Sequence, residues 1–231
     1  MFMRIIFVRH GEPDYARDCL TAEGQRQAAA AAERLAGEGI GAIYASPLGR
    51  ARETAEFTAR RLGLPVTELD FMREITWGGP GLPVEGHPWT LGDWLIDRED
   101  FDFLRDDWRQ HPYFRDNAAA RCCRHIEARF DEFLAGLGYR REGGRYLCEG
   151  GDERTVALFS HGGSGACALA RALNLPFPWV ASVLPYDFTS IIILAFEVRP
   201  GEYVHPRVEL FNDCAHIRRD PGGVRLQQKS E

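Results

Sequence analysis

"RIIFVRHGEP", residues 4–13, starts as an apolar run and ends in Arg9, His10 and Gly11. Ile5 to Val8 are four consecutive large apolar residues, the pattern of a strand buried on both faces. A strand that merely reaches water has no need of a cation, an imidazole and a glycine at its end. The design recurs in "TVALFSHGG", residues 155–163, where a second buried strand runs into His161, Gly162 and Gly163. In open α/β sheets, ligands bind beyond the carboxyl ends of the strands. If the two strands are parallel neighbours, His10 and His161 face each other across one pocket. Gly11 and Gly162 then allow close backbone approach, and their N–H groups can reach an anion.

Outward from the first strand, residues 20–39 read as a helix with Thr21 as N-cap, and 41–46 as a short strand. Residues 47–63 read as a second helix, with Pro47 near its start and Gly63 past its end, and 65–69 as a third strand. This β-α-β-α-β alternation predicts an α/β fold: a three-layer α/β/α arrangement around a mostly parallel central sheet. Residues 190–198 and 207–212 read as adjacent antiparallel strands at one edge. A long helix is expected over 116–138, with Cys122, Ile126, Phe130, Phe133 and Leu137 on one face, then a hairpin around Gly143-Gly144 and a helix over 164–175. One domain over 1–231 accommodates all of this. Residues 77–115 are too long and too aromatic for an ordinary connection and read as an insertion or lid of short helices. Its Trp77, Trp89, Trp94 and Trp108 fit either a specificity wall or the lid's own small core.

Composition narrows the function. A formal charge of −6 and a pI near 5.7 argue against a nucleic-acid or membrane-surface binder. Lys229 is the only lysine, so nearly all positive charge is arginine. That suits bidentate phosphate recognition and equally fits a general compositional bias. The six cysteines show no zinc-type spacing, and a reduced, cytoplasmic protein is expected, with no signal peptide and no membrane span.

A third segment, "SPLGRARETA" (46–55), again follows a strand and places Arg50 in the first turn of the next helix, where its guanidinium adds to the positive helix end. R-H-G at the first strand, S-P-L-x-R-A-x-x-T-A after the second and S-H-G-G at a late strand together resemble the histidine phosphatase superfamily, over residues 4 to about 216. The resemblance implies that His10 is a nucleophile that becomes phosphorylated, with Arg9, Arg50 and His161 around the phosphoryl group. It also implies a carboxylic acid as proton donor in an E-x-x-x-G pattern, which Glu74 and Gly78 of "MREITWGG" match. Neither metal nor cofactor is expected, because arginine supplies the charge that neutralises a phosphate dianion, and the expected partner is a small phosphorylated molecule.

Departures from the family pattern bear on the substrate. The position that often holds an Asn phosphate ligand, six residues after the nucleophile, is Ala16, and the loop from His10 to Leu20 is shorter than in the mutases. A phosphatase is therefore expected over a phosphoglycerate mutase-type transferase. Two other readings stand beside it. "GGSGA" (162–166) nearly matches a nucleophile elbow, so a serine hydrolase would use Ser164, with Asp187 or Asp213 and His216. A phospho-ligand binder without turnover would keep the same pocket. Asn212, Asp213 and His216 receive no catalytic role in the phosphatase reading.

Overall fold

The computed structural model describes residues 1–78, 102 and 105–217. In chain order the strands are β1 (Phe2–Arg9), β2 (Pro13–Asp14), β3 (Cys19–Leu20), β4 (Ile40–Ala45), β5 (Val66–Glu68), β6 (Tyr139–Glu142), β7 (Arg145–Cys148), β8 (Thr155–Ser160), β9 (Ile191–Glu197), β10 (Tyr203–Val204) and β11 (Arg207–Asp213). The α-helices are α1 (Ala22–Leu35), α2 (Gly49–Leu62), α3 (Pro112–Arg115), α4 (Ala118–Gly136), α5 (Gly162–Leu173) and α6 (Phe177–Val183).

Six strands form the central sheet in the order β11-β9-β1-β8-β4-β5. β1, β8, β4 and β5 run parallel, while β9 and β11 make the antiparallel region. Because successive side chains alternate across a strand, Ile5 and Phe7 of β1 join one core, and Ile6 and Val8 join the other. The first core packs against α4 and α5 through residues such as Phe130, Leu134, Cys167 and Leu169. The second packs against α1 and α2 through Leu35, Ala55 and Ala59. The expected three layers are present. Each of the four β1 side chains is fully buried, worth about 1.5–3 kcal/mol apiece relative to exposure. That burial is what pins Arg9 and His10 in place.

Local chemistry sets the element ends. Thr21 Oγ1 accepts the Gly24 N–H at 3.0 Å as the N-cap of α1, and Gly63 closes α2 in the left-handed region at φ 67°. The α5 helix opens at Gly162, two residues earlier than its sequence pattern suggests, so that His161 is its N-cap. The buried face of α4 is carried by Ala119, Cys123, Ile126, Phe130 and Leu134 and continues to Leu137 as expected, whereas Cys122 and Phe133 lie at its half-buried margin.

Two expectations change. Cys123 of α4 and Cys167 of α5 pair as a disulfide, with Cα atoms 5.7 Å apart, which corrects the expectation of wholly reduced cysteines; Cys19, Cys122, Cys148 and Cys214 are free. Most of the expected insertion over 77–115, with Trp89 and Trp94, lies outside the described residues. Trp77 and Trp108 both pack on Phe177 of α6, at ring-centroid distances of 6.0 and 5.8 Å, and so belong to the main core. Among the described residues no helix is long and apolar enough to cross a membrane.

Candidate active site

The register of β1 with β8 pairs Arg9 with Ser160, so the next residue on each strand, His10 and His161, emerges at the same level. Their ring centroids lie 5.1 Å apart. His10 is 1% exposed and His161 fully buried. The Nδ1–H of His10 donates to the carbonyl of Gly11 at 2.7 Å, since a carbonyl can only accept. That bond leaves the lone pair of the neutral ring on Nε2. Burial, then the adjacent Arg9 charge, push His10 well below the ordinary histidine range, with Arg50 adding in the same direction. Burial and then His10, Arg50 and Arg9 do the same to His161. Both imidazoles are therefore neutral at pH 7.

Arg9 and Arg50 are 5% and 8% exposed. Burial lowers the affinity of Arg9 for its proton, an effect opposed by Glu74 first and then Tyr15, but a guanidinium remains charged in proteins. Its Nη1 donates to the carbonyl of Tyr186 at 2.6 Å, and its guanidinium lies 4.4 Å from the centre of the Phe188 ring, which is itself 5.5 Å from the His10 ring. The loop 184–190 thus forms a wall of the site. It is held by Thr189, whose N–H donates to the carbonyls of Arg9 and His10 at 3.0 and 3.4 Å. Thr189 has a φ of 53°, a strained conformation for a β-branched residue, beside the candidate nucleophile.

Glu74 arrives after β5 and lies against the first turn of α5. Its carboxylate accepts the N–H groups of Gly163 at 3.3 Å, Ser164 at 3.0 Å and Ile75 at 2.9 Å. A Cβ at Gly163 would stand 2.6 Å from Glu74 Oε1 and 2.5 Å from Ile75 Cγ1. Glycine there is what lets the carboxylate reach the helix end.

Five of the expected site residues, Arg9, His10, Arg50, Glu74 and His161, therefore converge. Gly162 opens α5 directly after His161. The expectation for Gly11 is corrected: its N–H donates to Thr54 Oγ1 at 3.1 Å and is not offered to an anion. Glycine is needed there for packing, since a Cβ would lie 2.6 Å from the carbonyl oxygen of Gly24 in α1. The serine hydrolase constellation does not assemble. Ser164 is fully buried with its Oγ accepting the His161 backbone N–H at 3.4 Å, while His216 bonds Thr189 and Asp213 bonds Arg34.

Besides the 184–190 loop, Thr54, Ser46 and Asp18 hold site residues and received no role from the sequence. Thr54 joins the two motifs by accepting from Gly11 and donating to the Arg50 carbonyl at 2.7 Å. Ser46 places its Oγ 2.8 Å from His161 Nε2. Asp18 binds Arg50 Nη1 at 2.5 Å with one oxygen and accepts the Gly49 N–H at 2.7 Å with the other. The α2 N-terminus, read as an open anion site, already holds this carboxylate. Tyr15, 66% exposed, stands on the same loop with the Arg50 guanidinium 5.4 Å from its ring centre. Among the described residues no group of three or more His, Cys, Asp or Glu side chains is placed to hold a metal ion.

Comparison with known proteins gives a consistent grouping. The chain is 36% identical over 91 residues to the uncharacterized phosphatase PhoE of Bacillus subtilis, covering 35% of this chain and 47% of that protein. It is 35% identical over 85 residues to the probable phosphoglycerate mutase GpmB of Yersinia enterocolitica, covering 33% and 40%. The matched region thus spans less than half the length of these curated relatives. A mycobacterial glucosyl-3-phosphoglycerate phosphatase structure superposes with a TM-score of 0.62 at 25% identity, covering 92% of this chain and 99% of that one. The family model for the histidine phosphatase superfamily (branch 1) matches residues 5–208, and the chain belongs to that superfamily.

Proposed function

We propose that the protein is a metal-independent phosphatase that hydrolyses small phosphate monoesters through a phosphohistidine on His10. The observation that carries this reading is the neutral His10 beside His161, with Arg9, Arg50 and Glu74 converging on the ends of β1 and β8. A phosphate monoester dianion repels nucleophiles until its charge is met, and two buried guanidiniums meet it. His10 Nε2 attacks phosphorus, the P–O bond to the leaving group breaks, and Glu74, acting as the general acid, passes a proton to the departing alkoxide. The Glu74 carboxylate then takes a proton from water as the water oxygen bonds phosphorus and the P–N bond breaks. Inorganic phosphate leaves, and His10 and Glu74 return to their starting states.

The relatives' names support phosphoryl chemistry on a small metabolite and include a probable mutase. Ala16 and the short loop before Leu20 favour hydrolysis over retention of a bisphosphate. The test is hydrolysis of p-nitrophenyl phosphate in EDTA by wild type and His10→Ala. Activity in the wild type and none in the variant is expected. Activity retained by His10→Ala overturns the mechanism, and an inert wild type that still binds phosphate makes the protein a binder. Conversion of 3-phosphoglycerate to its 2-isomer faster than phosphate release would assign mutase chemistry instead.

A further inference from the structure

Ser46 is fully buried, and its hydroxyl must place one hydrogen and accept with its lone pairs. The Leu48 N–H donates to its Oγ at 3.3 Å, which uses an acceptor site. Among the described residues the acceptor recorded for the hydroxyl hydrogen is His161 Nε2, at 2.8 Å. The reverse arrangement, with Nε2–H donating to Oγ, leaves a buried hydroxyl hydrogen without an acceptor there, a loss of about 1–3 kcal/mol. Ser46 is thus the donor and Nε2 the acceptor. In a neutral ring the proton then sits on Nδ1, which is buried with no hydrogen-bond partner among the described residues, for the Ser164 N–H that faces the His161 side chain at the start of α5 donates instead to Glu74 Oε1 at 3.0 Å. A buried donor left unmatched at a converging cluster of anion-binding groups is a place for a ligand oxygen.

We propose that Ser46 is a positioning residue that locks His161 as the neutral Nδ1–H tautomer, so that Nδ1–H donates to a phosphoryl oxygen of the substrate. The inference rests on the phosphatase reading for its ligand but not for the tautomer itself. The charged groups facing His161 agree with it. Burial first, then His10 at 5.1 Å and the cations Arg50 and Arg9, lower the basicity of His161, while the nearby Glu74 is bonded to backbone N–H groups of α5. A neutral donor also does not compete with the guanidiniums for charge, and it stays in place when the phosphoryl group moves to His10.

The tautomer is read on the free enzyme, without turnover, by two-bond proton–nitrogen correlation spectra of histidine-labelled protein at pH 7.5, with His161 assigned through His161→Asn. A protonated, pyrrole-type Nδ1 and an unprotonated Nε2 are expected. A protonated Nε2, alone or with Nδ1, overturns the proposal whether or not the protein is a phosphatase. Ser46→Ala is expected to mix the tautomers and to lower kcat about tenfold, with KM moving less. Unchanged spectra and kcat in that variant overturn the role of Ser46. His161→Asn and His161→Gln provide a second readout, because the Asn amide nitrogen falls near Nδ1 and the Gln nitrogen near Nε2. Asn is expected to retain the greater kcat, and the opposite order overturns the assignment. His10→Ala tests the phosphatase reading separately, since it leaves the His161 tautomer to be measured.

Discussion

Holding two histidines neutral inside the fold makes stability depend on pH in a window that carboxylates do not share. The folded state disfavours protonation of His10 and His161, whereas the unfolded chain binds those protons near the ordinary value of 6.5. Below pH 6.5 the unfolded state therefore binds more protons, and stability falls as pH falls. If both rings stay neutral when folded, lowering the pH from 7.5 to 5.5 favours unfolding by about 1.4 kcal/mol for each, or about 3 kcal/mol together. That is a large share of the roughly 5–15 kcal/mol that ordinary domains possess. His216, lowered chiefly by burial, adds in the same direction. Glu38 and Asp213 are held below their ordinary carboxylate values, so the stability they add is lost only near and below pH 4.5. Urea unfolding at pH 7.5 and 5.5, for wild type and for His10→Gln/His161→Asn, isolates the two rings. The double variant is expected to lose about 3 kcal/mol less than wild type over that interval, whatever its absolute stability. Equal losses would refute the claim that the site keeps both imidazoles uncharged.

The other predictions concern individual contacts. Glu74→Gln is expected to reduce kcat/KM for phenyl phosphate by roughly 10²–10⁴, and for p-nitrophenyl phosphate by much less, because nitrophenolate departs without a proton; equal losses on the two esters would remove Glu74 as the acid. Thr54→Val leaves the Gly11 N–H without its acceptor and should lower the free energy of urea unfolding by about 1–3 kcal/mol. Asp18→Ala removes an anion bonded to Arg50 and to the α2 end, so inorganic phosphate should inhibit several-fold more strongly, measured as its Ki. A weaker phosphate inhibition would instead mean that Asp18 holds Arg50 in its working position.

The parts of the site legible in the sequence were those written in one continuous stretch. Apolar runs that stop at a histidine marked β1 and β8, and the cap residues Thr21 and Gly63 marked helix ends. The Arg9–Ser160 register was not legible, because a fully apolar strand carries no period that fixes its alignment with a neighbour. Bonds such as Ser46 to His161 and Asp18 to Arg50 join residues far apart in the chain through short polar side chains common on any loop. The loop 184–190 gave no signal either, since "LPYDFTS" has neither helical nor strand periodicity, and Thr189 is an improbable residue for a left-handed turn. The glycines misled for a related reason: Gly11 looks like an anion-binding residue but is required by the approach of Gly24, which only the tertiary structure reveals.

The charge arrangement also bears on the proposed choice of hydrolysis over transfer. A mutase must keep a bisphosphate in its pocket while the two ends exchange, which requires surplus positive charge and exclusion of water. Here one of the two buried guanidiniums already shares a carboxylate, and the N–H of Gly49 at the adjacent helix end is bonded to the same group. The cationic capacity left for ligand oxygens suits one phosphoryl group better than two. That capacity fits the proposed hydrolysis, in which the leaving group departs and water enters after His10 takes the phosphoryl group.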